Sequence, residues 1–378
     1  MTKLIILLTA LAVGLGLTAC GCGKALPESA DAFPKTGSMN LTYAEQFSVD
    51  YLENGCAEIN IADGAKYLLV PEGISVPEYP ENRIILQQPL EIFYVPASSA
   101  VDLFDGLGAL DYVLLTSTTE QNWALPHVRE ALQSGKMLYA GKYSAPDYEK
   151  LLENQCQIAV ESTMIYHSPE TKEQLEALGI PVLVERSSYE AHPLGRMEWI
   201  KLYGLLLGKE QEAENFFSEK TADFEKISLS EIPEEDKKTV AFFSINPNGY
   251  VTIHKPGDYV AQMIALAGGQ YAFTAENLHV EENALSTMNI QMEVFYETVK
   301  DCDILIYNGT IEGSLETIDQ LIEKDSILSD CKAVQHGSVW CTEQSLYQQT
   351  TGAADIIYDL HAVLTDNAEN LTFLHRLK

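Results

Sequence analysis

The sequence predicts an α/β protein of two lobes, each Rossmann-like with a mostly parallel sheet, joined by a single long helix. Three observations predict it. Short apolar runs alternate with amphipathic segments from about residue 41 to residue 185, the rhythm of β-α-β units. The same alternation resumes at Thr239, and the stretch between carries helical rather than strand periodicity. A chain of 378 residues, 46% of them hydrophobic, is long and apolar enough for two cores.

Within the first lobe, 41–208, strands are expected at Ile59–Ile61, Tyr67–Val70, Glu91–Val95, Tyr112–Thr116, Met137–Ala140, Ile158–Glu161 and Val182–Glu185, with helical patterns at 126–134, 146–154 and 169–178. Pro193 stands where a first helical residue does, and the apolar face that follows runs to Leu207, where Gly208 stops it. The joining segment, 209–238, opens with a helix from Lys209 to about Ile227, apolar at Ala213, Phe216, Phe217 and Phe224. Some twenty residues at about 1.5 Å each span roughly 30 Å, enough to cross a small domain. An acidic linker with Pro233 leads to the second lobe, 239–378: strands at Val240–Ile245, Asp303–Tyr307 and Ser338–Cys341, a helix over Asp258–Ala267 and a closing helix over 352–364.

The N-terminus reads as an export signal. Lys3 precedes an apolar run from Leu4 to Leu17, the length of a signal-peptide core and short for a membrane span. The run ends in Leu17-Thr18-Ala19-Cys20, which resembles a bacterial lipobox. Cleavage after residue 19 would leave Cys20 as the first, lipidated residue; the alternative is a plain secretory signal with an incidental cysteine. Residues 20–40, rich in Gly, Ser, Ala and Pro, read as a flexible tether. This places the protein on the extracytoplasmic face of the membrane, lipid-anchored. Cys22, Cys56, Cys156, Cys302, Cys331 and Cys341 show no ligand or redox spacing and read mostly as small packed residues. The net charge of −31, from 24 basic and 55 acidic residues, repels phosphates, so nucleic acid is not an expected partner.

Several stretches, taken in order, carry a family resemblance: Tyr139-Ala-Gly-Lys-Tyr-Ser-Ala-Pro-Asp-Tyr-Glu149, Ala159-Val-Glu-Ser-Thr163, His192-Pro-Leu-Gly-Arg-Met-Glu-Trp199, Lys255-Pro-Gly-Asp-Tyr259 and Ala267-Gly-Gly269. Over about residues 40–366 the chain resembles the helical-backbone class of periplasmic binding proteins, which serve uptake of ferric siderophores, vitamin B12 and haem. The resemblance implies the class III fold, one ligand held between the lobes, and delivery to an ABC permease with its ATPase by a monomeric receptor without a cofactor of its own. It also implies one docking carboxylate per lobe: Glu149 in the first, Glu293 in the second, with Glu297 as the alternative to Glu293. Both sit near helix starts, where a carboxylate also simply complements the helix dipole.

Ligands of open parallel sheets sit beyond the carboxyl ends of the strands. The candidate contacts there are Tyr143, Glu161, Ser162, His167, Tyr189, His192 and Arg196 in the first lobe, and Asn246, Tyr250, His254 and Tyr347 in the second. Aromatic faces and a few placed polar groups suit a flat organic ligand, and His or Arg suits an anionic iron complex. Each has a structural alternative: a tyrosine capping a core, Arg196 paired with Glu161 or Glu198, Glu161 accepting hydrogen bonds at its turn. His167, His192 and Glu161 are metal-ligand types, but their gaps are long, so no metal site is expected. Arg196 and His254-Lys255 are the main positive groups of these loops, which keeps corrinoids and haem beside siderophores as ligands. No GxSxG, HExxH or P-loop motif occurs, so an enzyme is not expected; a surface sensor without transport is the other alternative.

Overall fold

The computed structural model describes residues 33–76, 83–228, 232–280 and 286–378. The export signal, Cys20 and the tether up to residue 32 lie outside the described residues.

The chain opens with a sheet that the β-α-β reading did not anticipate. Strands β1 (Lys35–Ser38), β2 (Phe47–Leu52), β3 (Ala57–Ile61), β4 (Lys66–Val70) and β5 (Ile84–Gln87) lie in that order, antiparallel through β4, with β5 parallel to β4. Alternation explains it: Phe47 and Val49, then Ala57, Ile59 and Ile61, point inward while Ser48 and Asn60 point out. Two of the strands expected in the parallel sheet therefore belong here. β1 also overlaps the expected tether, because pairing with β2 orders Lys35–Ser38.

The first lobe's second sheet is wholly parallel. Strands β6 (Phe93–Tyr94), β7 (Val113–Thr116), β8 (Leu138–Tyr139), β11 (Ile158–Ser162) and β12 (Val182–Glu185) take the order β12-β11-β6-β7-β8; β9 (Gly141–Lys142) and β10 (Ala145–Pro146) form a small hairpin beside it. The second lobe carries β13 (Thr239–Ile245), β14 (Val251–His254), β15 (Gln270–Tyr271), β16 (Thr287–Ile290), β17 (Ile304–Tyr307), β18 (Val339–Thr342) and β19 (Leu374–Arg376). Its centre, β13-β17-β18, is parallel, flanked by antiparallel β14 and β16 on one side and β19 on the other.

The joining helix spans Glu210–Ser228, roughly 28 Å at 1.5 Å per residue. The helix before it, Ile200–Leu207, ends on Gly208 in the left-handed conformation, φ +66°. The two then pack closely: a Cβ on Gly204 would lie 2.6 Å from that of Ala213. Two further devices unite the molecule. Glu198, wholly buried, accepts hydrogen bonds from the backbone N–H groups of Thr42, Tyr43 and Ala44 (2.7–3.0 Å) and pairs with Lys201 at 3.1 Å. Glu190 does the same for Glu45 and Gln46 and for the indole of Trp199. Along one edge the lobes meet in a polar seam. The Thr350 hydroxyl donates to Ser99 O, Thr351 N donates to Asp102, and the Gln348 amide bridges Ala124 N and Asn122 O, all between 2.7 and 3.0 Å. Burial pushes the Asp102 carboxyl up to about 6. The five cysteines of the described residues are buried free thiols.

Candidate functional site

The carboxyl-terminal halves of β13 and β17, with antiparallel β14 beside them, face the first lobe across a cavity of about 200 Å³. The second lobe supplies its most ordered wall. His254, ending β14, places Nδ1 2.7 Å from Asp258 and Nε2 2.9 Å from the Tyr347 hydroxyl. Asp258 also caps the helix Tyr259–Leu266 by accepting from Val260 N, so its carboxylate is fixed. A carboxylate on Nδ1 keeps the proton there and leaves Nε2 to accept from Tyr347. Tyr347 in turn accepts from the Asn308 amide at 2.8 Å. The first lobe supplies Arg196, whose guanidinium lies 4.0 Å from the centre of the Tyr259 ring. Its charge is met by Glu185 from its own lobe and Asp258 from the other, while its Nε has no partner among the described residues. Ser188, Ser244 and Thr252 add hydroxyls, and Phe242, Phe243 and Ile311 add apolar surface.

Three of the eleven candidates, Arg196, His254 and Tyr347, thus converge. Neither Glu161 nor Glu198 pairs with Arg196; Glu185 acts on it only through longer-range attraction, and Glu198 is engaged by Lys201 and the 42–44 backbone. His192 is occupied elsewhere: its Nδ1 accepts from Leu194 N as a helix cap, and its ring stacks on Tyr43 at 4.4 Å. Burial holds the His192 imidazole below its usual range. Asn246 uses its side-chain oxygen on the turn before β14, accepting from Asn248 N and Tyr250 N. Ser162 caps the turn Thr163–His167. Tyr143 is half-buried against the outer core of the first lobe, and Tyr189, Tyr250 and His167 are exposed. Sequence reasoning did not single out Tyr259, nor Asn308 and Arg186 within the strand-end loops that they open. The first two carried a signal, as the residue after the Asp258 cap and the first residue beyond β17. Arg186, just after β12, lies over the Tyr189 ring at 4.6 Å and donates to the Tyr166 hydroxyl and to Gln46.

Glu161 is the anomaly. Both its carboxylate oxygens are buried with no hydrogen-bond partner, and burial alone pushes the group up to about 8. The fold therefore prefers the protonated carboxyl, a contribution fully present below the unfolded value near 4.5 and lost as pH rises through about 8. The loss is at most about 1.4 kcal/mol per pH unit in that window. Glu161→Gln is expected to flatten this dependence; denaturation midpoints of both proteins at about pH 5 and about pH 9 test it, and parallel profiles would refute it.

The docking candidates lie far from this chemistry in character. Glu149 stands in the first turn of helix Tyr148–Glu153, capped by Asp147, and Glu293 in the first turn of helix Met292–Val299. Both are exposed, and neither forms an ion pair or hydrogen bond among the described residues.

Two α/β lobes with a polar-and-aromatic cavity at their junction define a solute-binding protein, of the class III periplasmic-binding-protein fold. The family model for periplasmic binding proteins matches residues 96–346, and the chain belongs to that family. An uncharacterised lipoprotein of Methanocaldococcus jannaschii is 24% identical over 319 residues, 81% of this chain and 74% of that one. Among solved structures, a periplasmic haem-binding protein from Pseudomonas aeruginosa superposes with TM-score 0.59 at 16% identity, over 76% of this chain and 98% of its own. The petrobactin-binding protein YclQ from Bacillus subtilis gives 0.58 at 15% identity, over 83% and 99%.

Proposed function

We propose that this protein is the lipid-anchored, extracytoplasmic receptor of an ABC importer, monomeric and without catalytic activity, which captures an iron complex or a related corrinoid or haem between its lobes and hands it to the permease. The observation that carries the reading is the junction cavity, where Arg196 from one lobe meets the His254–Tyr347–Asn308 array from the other. Groups from both lobes on one cavity let a single ligand bridge them. A buried guanidinium nitrogen without a partner among the described residues suits an anionic oxygen, and Tyr259, Tyr347 and Phe243 suit a flat organic frame. The lipobox at Cys20 and the lipoprotein relative support the anchor. The haem and petrobactin binders among the similar folds support the ligand class. At 200 Å³ the cavity is smaller than the roughly 300–1,000 Å³ of sites for drug-sized molecules, so loading such a ligand involves separation of the lobes.

A thermal-shift panel of ferric siderophores, cobalamin, haem and free metal ions tests this. A ligand at about 100 times its dissociation constant adds roughly 2.7 kcal/mol, and Arg196→Ala is expected to remove most of the shift. No shift with any member would overturn the ligand class and favour a sensor of another solute.

A further inference from the structure

A second cavity, of about 580 Å³, is not between the lobes. It lies at the base of the second lobe, where Lys238 precedes β13, Ile304 begins β17 and Ser338 precedes β18. These are the amino ends of the parallel strands, opposite the carboxyl ends that face the cleft. The tail that follows the closing helix, through Leu371, folds over it before β19 returns beside β18.

Its chemistry is that of a binding site. Trp340 of β18 is 8% exposed and forms an aromatic wall. Among the described residues its indole N–H makes no hydrogen bond, whereas those of Trp123 and Trp199 both do. Arg376, opposite Trp340 in the strand register, is tied at Nε to Gly337 O at 2.7 Å, and its guanidinium carbon lies 6.0 Å from the Trp340 ring centre. That single tether holds the guanidinium beside Gly337, and its terminal nitrogens form no hydrogen bond or ion pair among the described residues. The other cations of the rim are already neutralised: Lys238 by Asp366 at 2.8 Å and Lys332 by Asp303 at 2.7 Å. One tethered, unmatched guanidinium and one open indole N–H thus border an apolar wall of Ile304, Val363 and Leu371. A guanidinium edge matches a carboxylate in a bidentate pair, and an indole face matches a flat ring.

We propose that this cavity is a second small-molecule site, distinct from the cleft, which takes a planar aromatic carboxylate. The ring lies against Trp340 and the carboxylate meets Arg376. Because the two sites occupy opposite ends of the same parallel strands, both can be filled at once.

The test uses the full chain labelled with ¹⁵N and 2-naphthoate as the probe. Of the three indole N–H resonances, the one that Trp340→Phe deletes is expected to shift and saturate with added naphthoate. Arg376→Gln, an exposed substitution, is expected to weaken that binding by about tenfold or more, and uncharged 2-naphthalenemethanol to bind no better than the variant does. A Trp340 resonance that stays still, equal binding by Arg376→Gln, or equal binding of the alcohol would each overturn the site. None of these outcomes depends on the cleft or its ligand.

Discussion

Replacement of Glu149 and Glu293 together by Ala is expected to abolish solute uptake while leaving ligand binding and thermal stability nearly unchanged. The separation follows from geometry. Each carboxylate is exposed in the first turn of a surface helix and unpaired among the described residues. The cap of the first helix is Asp147, which accepts from Lys150 N, so losing Glu149 removes only the favourable dipole contact, about 0.3–1 kcal/mol. Exposed apolar side chains stand beside both, Leu152 in one lobe and Val294 in the other, as a docking face would have. Glu297 is the internal control. It is held by Lys300 at 2.6 Å, so Glu297→Ala is expected to transport normally. Uptake of the solute identified by the thermal-shift panel, measured beside its affinity for the purified double variant, decides the matter. Normal uptake by the double variant would refute the assignment.

Glu198→Ala is expected to destabilise the protein by about 3–5 kcal/mol. The carboxylate has no exposed surface and answers three consecutive backbone donors as well as Lys201, itself 5% exposed. Truncation strands the three backbone donors at once. The Lys201 ammonium retains Asn40 O at 3.0 Å and the solvent-facing Glu214 at 3.1 Å, but the N–H groups of Thr42, Tyr43 and Ala44 lose their acceptor. Glu198→Gln, which keeps the shape and one acceptor, is expected to fall between the two. Urea unfolding of the three proteins measures this, and a loss below about 1 kcal/mol for the alanine variant would contradict it.

The same residue shows where sequence reading reached its limit. The rhythm of the two lobes was legible because strand and helix periods are local properties: the helix expected at Lys209 to Ile227 is found at Glu210–Ser228. The opening sheet was not, because Lys35–Ser38 is polar and becomes a strand only by pairing with β2. For the site, position was legible and occupation was not. Arg196, His254 and Tyr347 converge because strand ends converge. His192 and Asn246 stand at equally suitable positions, yet a helix cap and a turn claim their polar atoms. Glu198 reads locally as a partner for Arg196, but beside Lys201 the donors that it answers, Thr42 to Ala44, lie more than 150 residues away in the chain. Such competition for a side chain is settled by tertiary contacts that no local pattern encodes.

The seam from Ser99 and Asp102 to Thr350 and Thr351 bears on how tightly and how fast the protein can work. With one edge of the junction already fastened, the lobes keep their register while the other side separates for loading. Little of the ligand's interaction energy then goes into immobilising the lobes, the preorganisation that raises affinity without added contacts. The same fastening narrows the route by which a bound molecule leaves. Tight capture would then be expressed chiefly as a long residence time, and release would call for a force applied to both lobes at once.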